Sequence, residues 1–251
     1  MQYYGGKAKQ GKQIAKVIEE YIAQNDKGPV DHYVEPFAGC LGVMRHLTPF
    51  LDEHCVRAHA SDGCPDIILL WQSLQRGTFS MPPLPITREL WRDLKYFQPP
   101  SALRAFVGFG YSFSGIFYGA YQGNTYKDGR LYENLLALAP KLEKVRFKYC
   151  DYKDALQDIP AGDRCVIYAD PPYQSGTHLF GSTHPFNHTE FVETVKVWVA
   201  AGHAVFVSER SFPFGEVIYS HTRHVVTRSR EGHAYTDSLF LVDEAVLRYV
   251  K

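Results

Sequence analysis

The stretch that decides the fold is a short apolar strand, a turn with two glycines and the start of a helix. It runs His32-Tyr33-Val34, then Glu35-Pro36-Phe37-Ala38-Gly39-Cys40-Leu41-Gly42, then Val43-Met44-Arg45-His46-Leu47. A strand that enters a helix through a glycine turn is typical of α/β folds. Glycine lets the backbone approach a ligand closely, and a helix N-terminus attracts negative charge.

Strand and helix patterns alternate outward from this stretch. Apolar residues at helical spacing predict helices over 13–24, 66–74 and 189–200, and apolar runs predict strands over 56–60, 145–150, 164–169 and 204–208. Two further strand candidates, 224–229 and 238–242, would form a hairpin at the sheet edge. The sequence therefore predicts an α/β fold with an open, mostly parallel sheet.

The alternation is interrupted between residues 76 and 145. Proline-rich breakers surround a predicted helix over 87–96. Further helices are predicted over 103–107 and 132–142, and residues 108–124 are rich in Gly, Ser, Phe and Tyr. We predict that 1–75 and 146–251 form the main domain and that 76–145 is an inserted, mostly helical subdomain.

Composition excludes several classes of protein. The chain has 251 residues, with 27 Lys and Arg against 27 Asp and Glu, so it is not a polyelectrolyte binder. Its 45% hydrophobic content excludes a disordered chain. No apolar run approaches a membrane span of about 18 residues, and the N-terminus lacks a signal-peptide pattern; we expect a cytoplasmic protein. The five cysteines form no C-x-x-C pair, which predicts reduced thiols and no metal site.

Acidic residues follow the predicted strands. Asp62 comes after the second strand, about 20 residues beyond the glycine turn, where a carboxylate can accept both hydroxyls of a ribose. The glycine spacing is not that of a dinucleotide fold, so a nucleoside cofactor without a pyrophosphate fits better. Asp151 follows the third strand and Asp170 the fourth. In open α/β sheets ligands bind at this edge.

Asp170-Pro171-Pro172-Tyr173 is the most specific signal for chemistry. Two prolines hold the backbone rigid after a buried strand. The carboxylate and the carbonyl of Pro171 can then accept both hydrogens of one amine, and the tyrosine ring can stack on a planar base. The pattern favours a site that binds a planar base through its exocyclic amine.

These motifs together resemble those of Dam-type adenine-specific DNA methyltransferases, and most closely the small phage and prophage members. The resemblance covers nearly the whole chain, in the motif order of the α group. It implies a Rossmann-like sheet, S-adenosylmethionine as cofactor and Asp170, Pro171, Pro172 and Tyr173 as catalytic residues. The cofactor contacts that it implies are Tyr4, Gly6, Lys7, Glu35, Pro36, Phe37, Gly39, Gly42, Asp62, Asp151, Tyr152 and Asp170. The glycine turn has one more residue before Gly42 than the family pattern.

The insertion is the predicted DNA-recognition subdomain. Residues 108–121 resemble a stretch of the phage members, and basic and polar residues around it suit contacts to phosphates and bases. The predicted DNA contacts are Arg88, Arg92, Ser112, Ser114, Tyr118, Gln122, Asn124, Lys127 and Arg130. The resemblance further implies that the partner is double-stranded DNA, that the target base flips out of the duplex, and that no membrane is involved. It also implies a cognate restriction endonuclease in the same cell, with which the chain forms no stable complex.

The residues leave three other functions open. The same chemistry suits the amine of cytosine or a base in RNA, because Asp-Pro-Pro-Tyr tolerates any planar amine. The third alternative is a catalytically inactive methyltransferase fold that binds DNA.

Overall fold

The computed structural model describes residues 5–24, 26–123, 128–174, 186–226 and 232–248. The helices in these ranges are α1 (Gly11–Gln24), α2 (Met44–Glu53), α3 (Pro65–Gln75), α4 (Arg88–Phe97), α5 (Ala102–Gly110), α6 (Asp128–Leu136), α7 (His188–Ala200) and α8 (Glu244–Leu247). The strands are β1 (His32–Glu35), β2 (Arg57–Asp62), β3 (Arg146–Tyr149), β4 (Cys165–Ala169), β5 (Ala204–Glu209), β6 (Glu216–Val226) and β7 (Gly232–Val242). Within these ranges, no helix has the length and apolar character to cross a bilayer.

The strands of the described residues form one seven-stranded sheet in the order β3-β2-β1-β4-β5-β7-β6. Strands β1 to β5 are paired in parallel, and β7 runs antiparallel between β5 and β6. The central strand β4 has all five residues buried. This sheet confirms the predicted α/β, Rossmann-like fold class, with the hairpin of β6 and β7 at one edge.

Strand residues alternate between the two faces of the sheet. On β4, Val166 and Tyr168 pack in the larger apolar cluster with helices α1, α2 and α3, whereas Cys165 and Ile167 pack against α7 on the other face. Parallel strands buried on both faces read as continuous apolar runs, which is why β4 and β5 were predictable.

The inserted segment shares the core of the sheet. Helix α5 packs on α3, and the buried side chains of α4 and α5 belong to the same apolar cluster as the inner face of the sheet. Trp91 and Phe106 are among these side chains. The segment is therefore attached to the sheet by a continuous core.

Three predicted boundaries need correction. Strand β6 begins at Glu216, not at residue 224, because an exposed edge strand carries polar residues and shows no apolar run. Strand β7 begins at Gly232, not at 238. The helix predicted over 132–142 is helix α6 followed by a separate 3₁₀ turn, Ala139–Leu142, where Pro140 interrupts the α-helical hydrogen bonds.

Candidate active site

The carboxyl ends of β1 to β5 lie at one edge of the sheet, because these strands are paired in parallel. The glycine turn after β1, Asp62 at the end of β2, Asp151 after β3 and Asp170 after β4 therefore share this edge. Glu209, the last residue of β5, joins them. The structure thus brings together residues from five strands where parallel sheets bind their ligands.

Asp62 ties the glycine turn to the second strand. One carboxylate oxygen accepts the backbone N–H of Gly39 and the other that of Cys64, each at 2.8 Å. Burial raises the pKa of this carboxyl, and the two amides act against the rise. Gly39 has φ +44°, and its carbonyl accepts the indole N–H of Trp71 at 2.9 Å. A carboxylate offers about four acceptor positions, so two remain for the hydroxyls of a ribose.

Glu35 stabilises the same turn from inside the core. Its carboxyl is 2% exposed and accepts hydrogen bonds from the Tyr33 hydroxyl at 2.8 Å and from the backbone of Met44. Burial raises the pKa of Glu35 to about 8. The structure therefore gives Glu35 a role in holding the turn against helix α2, next to a buried Pro36.

Gly42 lies against the N-terminal segment of the chain. A Cβ atom on Gly42 would be 3.0 Å from Cβ of Lys7, and one on Gly11 would be 1.9 Å from the carbonyl oxygen of Gly42. Glycine at both positions lets α1 and Lys7 pack onto the turn. Gly6 is half-buried beside Lys7, and the predicted cofactor contact Tyr4 lies outside the described residues.

Aromatic rings line the edge beside the glycine turn. Phe37 stacks on Tyr152 with ring centroids 5.3 Å apart, and Phe186 and Phe191 pack against both rings. Phe37 is half-buried, and Tyr152 is buried. Asp151 is exposed and caps the short turn after β3 by accepting the N–H of Lys153 at 3.0 Å. Asp151 and Tyr152, two of the predicted cofactor contacts, therefore adjoin an apolar, aromatic surface.

Asp170 forms an ion pair with Lys7, 163 residues away in the chain. The Lys7 side chain is 4% exposed and that of Asp170 is 18% exposed, so each charge depends on the other. Burial acts to lower the pKa of Lys7, but the charges and hydrogen bonds of Asp170 and Tyr173 together outweigh burial, and the pKa is raised. The Lys7 ammonium also lies 4.8 Å from the ring centroid of Tyr173. These contacts fix a charged carboxylate and an aromatic ring side by side.

Two prolines, Pro171 and Pro172, follow the buried strand β4 closely. Pro171 is buried and Pro172 half-buried, so the segment leaves the sheet as a short rigid arm. Burial raises the pKa of the Tyr173 hydroxyl, which stays neutral near pH 7. The Asp170 carboxylate and the carbonyl of Pro171 are two acceptors beside the flat ring of Tyr173, a combination that can bind a planar amine.

Glu209 is the site residue that the sequence analysis missed. It is 4% exposed and accepts the backbone N–H of Gln174, directly after Tyr173, at 2.7 Å. The signal was present in the sequence, since an acidic residue follows the apolar run of 204–208 at the same edge as Asp170.

The predicted DNA contacts divide into surface and interior residues. Arg88, Arg92, Gln122 and Arg130 are exposed, and Ser114 is half-buried on a turn with φ +57°. Asn124 and Lys127 lie outside the described residues.

Ser112 and Tyr118 require a correction. Ser112 is 1% exposed and its hydroxyl accepts the indole N–H of Trp91 at 3.0 Å, while Tyr118 is 5% exposed and packs on the same indole. Neither side chain reaches the surface where DNA would bind, because both complete the core of the inserted segment.

No family model matches the chain, and no curated protein matches it. Among solved structures, it is similar to an rRNA methyltransferase, AviRa, from Streptomyces viridochromogenes (19% identity, TM-score 0.37, covering 92% of this chain and 84% of that one). It is also similar to TrmN from Thermus thermophilus (12%, 0.38, 94% and 51%). A precorrin 8W decarboxylase from Methanobacterium thermoautotrophicum matches as well (14%, 0.37, 92% and 89%).

Proposed function

We propose that this chain is a methyltransferase that uses S-adenosylmethionine to methylate the 6-amino group of adenine in double-stranded DNA. The observation that carries the proposal is the meeting of the glycine turn, Asp62 and the Asp170–Tyr173 arm at one sheet edge. A ribose acceptor on β2 and an amine acceptor on β4 then flank the turn on β1.

The residues present fit the cofactor. Asp62 has acceptor positions left for two hydroxyls, and the half-buried ring of Phe37 offers an apolar face beside it. When bound, S-adenosylmethionine supplies a methyl group on a positively charged sulfur.

Asp170 and the carbonyl of Pro171 would accept the two hydrogens of the target amine. These hydrogen bonds favour a pyramidal nitrogen whose lone pair points at the methyl group, so positioning supplies most of the rate. The cofactor would supply the methyl group and keep the electron pair of the carbon–sulfur bond. Asp170 or water would then accept the proton that the methylated, cationic amine releases.

Tyr173 and Lys7 support this geometry. An adenine inside a duplex cannot reach the arm, so it has to leave the base stack. The Tyr173 ring offers a stacking surface for it. Lys7 holds the Asp170 carboxylate in place through their ion pair.

The test measures methyl transfer from the cofactor to an adenine-containing duplex, to a duplex of G and C only, and to RNA, with the modified base identified by mass spectrometry. We expect N6-methyladenine from the first substrate alone. Methylated cytosine or RNA would support the corresponding alternative instead. A chain that binds cofactor and DNA but modifies nothing would be an inactive binding protein.

Asp170→Asn tests the site itself. The variant keeps the shape of the side chain but loses the charge, and we expect loss of methyl transfer with cofactor binding retained by calorimetry. Asp158→Asn is the matched control, because that carboxylate is exposed and pairs only with surface Lys148 among the contacts described. Unchanged transfer by Asp170→Asn would refute the assignment.

A further inference from the structure

The chain loses its usual sheet hydrogen bonds just after β4. In the ladder between β4 and β5 the last pair is Ala169 with Val207. Pro171 and Pro172 follow, and neither has an N–H to donate to β5. Beyond the side-chain contacts of Lys7, the backbone of the arm that carries Asp170 and Tyr173 therefore has to be held by something other than the sheet ladder.

The Glu209 carboxylate supplies that attachment. One oxygen accepts the N–H of Gln174 at 2.7 Å, and the other accepts the N–H of Arg210 at 2.6 Å. The first bond holds the end of the arm, and the second holds the start of the loop after β5. Hydrogen bonds from amides to an ionised carboxylate are about twice as strong as neutral ones.

The environment of Glu209 keeps this attachment rigid. The residue is 4% exposed, so water does not compete for its oxygens. One residue earlier, the hydroxyls of Tyr168 and Ser208 lie 2.9 Å apart and link the same two strands. The charged groups that face Glu209 are Asp170 and Arg210.

We propose that Glu209 is a positioning residue for methyl transfer, which holds the Asp170–Tyr173 arm against strand β5 through the backbone of Gln174. The proposal rests on the proposed function and names a residue that acts through Asp170. Its carboxylate holds the main chain on both sides of the edge and does not itself accept the target amine.

Glu209→Ala removes both hydrogen bonds, and Glu209→Gln leaves one oxygen to accept one of them. A displacement of about 1 Å at the reacting groups costs roughly 100-fold in rate. We expect kcat to fall about 100-fold in Glu209→Ala and about tenfold in Glu209→Gln, since one such bond is worth about a factor of ten. The KM for S-adenosylmethionine should stay within about twofold, because Asp62 and the glycine turn are untouched.

Asp31→Ala is the matched control, because Asp31 holds the start of β4, at the opposite end of that strand from Asp170. Its carboxylate accepts the N–H of Arg164, directly before β4, at 2.9 Å. It removes the same type of bond, far from the strand ends that carry Asp170. We expect lower stability but an unchanged kcat, measured at a temperature where all variants are folded.

Hydrogen exchange gives a second readout that is independent of activity. The Gln174 amide is expected to be protected in the wild type and to exchange faster in Glu209→Ala, with Glu209→Gln between them.

The results separate this proposal from the function itself. A graded loss of kcat together with faster Gln174 exchange supports it, and if Glu209→Ala does not fold, the tenfold loss in Glu209→Gln decides. An unchanged kcat in folded Glu209→Gln, or an equal loss in Asp31→Ala, overturns it while the methyltransferase assignment stands. A wild type without transferase activity overturns both.

Discussion

A single methyl group at Gly11 is expected to disturb the glycine turn. In Gly11→Ala the new Cβ atom would lie 1.9 Å from the carbonyl oxygen of Gly42 and 2.7 Å from its carbonyl carbon. Non-bonded heavy atoms prefer about 3.5 Å, so α1 and the turn have to separate by more than 1 Å. Both contacting atoms belong to the backbone, and no rotamer change relieves the contact.

The expected cost follows from two opposing effects. Alanine favours the helix over glycine by up to about 1 kcal/mol, but overpacking of this kind costs about 1–3 kcal/mol and more where backbone has to move. We expect Gly11→Ala to unfold about 2 kcal/mol more easily in urea. Because the glycine turn and Asp62 form the proposed cofactor site, displacing the turn should also lower cofactor affinity, by about tenfold in calorimetry.

Gly129→Ala is the control for this experiment. Gly129 lies in α6, and a Cβ atom there would meet nothing within 4 Å. Its stability should be unchanged or up to about 1 kcal/mol higher, with normal cofactor binding. If Gly11→Ala unfolds and binds cofactor like the wild type, the close packing of α1 on the turn is refuted.

Three further predictions concern pH and DNA. Burial raises the pKa of Glu35 from 4.5 to about 8, so the folded chain keeps a proton that the unfolded chain releases. We therefore expect the free energy of unfolding to fall by about 5 kcal/mol as pH rises from 4.5 to 8. Glu35→Gln should remove this pH dependence in urea titrations. His59 is hydrogen-bonded to His32 at 2.8 Å, and burial lowers its pKa from 6.5 to about 4. Because the ring is partly exposed, we expect the free energy of unfolding to fall by about 1–2 kcal/mol as pH falls from 6.5 to 4. A His59→Gln variant with the same acid sensitivity would contradict this. Arg92→Ala should weaken DNA binding and reduce its salt slope by about one without changing cofactor affinity, as measured by fluorescence anisotropy at several salt concentrations.

Strand ends were predictable because they depend on local patterns. The apolar runs of β4 and β5 and the glycines after β1 are legible in short windows, and parallel pairing then brings their ends together. Asp62 and Asp170 were located in this way.

Pairings across the chain were not predictable in this way. Lys7 and Asp170 are 163 residues apart, and no periodicity connects them. For Ser112 and Tyr118 the structure differs from the prediction, because a loop rich in glycine and aromatics has no period that reveals its buried side. Edge strand β6 was also misplaced, since its polar residues have no core to match.

The continuous core between the inserted segment and the sheet opposes any movement of α4 and α5 that would open the chain around a DNA duplex. Swinging α4 and α5 outward would expose Trp91, Phe106 and their neighbours to water, at about 25 cal/mol for each Å² uncovered. A hinge movement that separates α4 and α5 from the sheet would therefore cost a large amount of folding free energy. If the substrate is DNA, the DNA therefore has to deform on binding. We expect the chain to bind base-pair steps that kink or unstack readily more tightly than stiff ones.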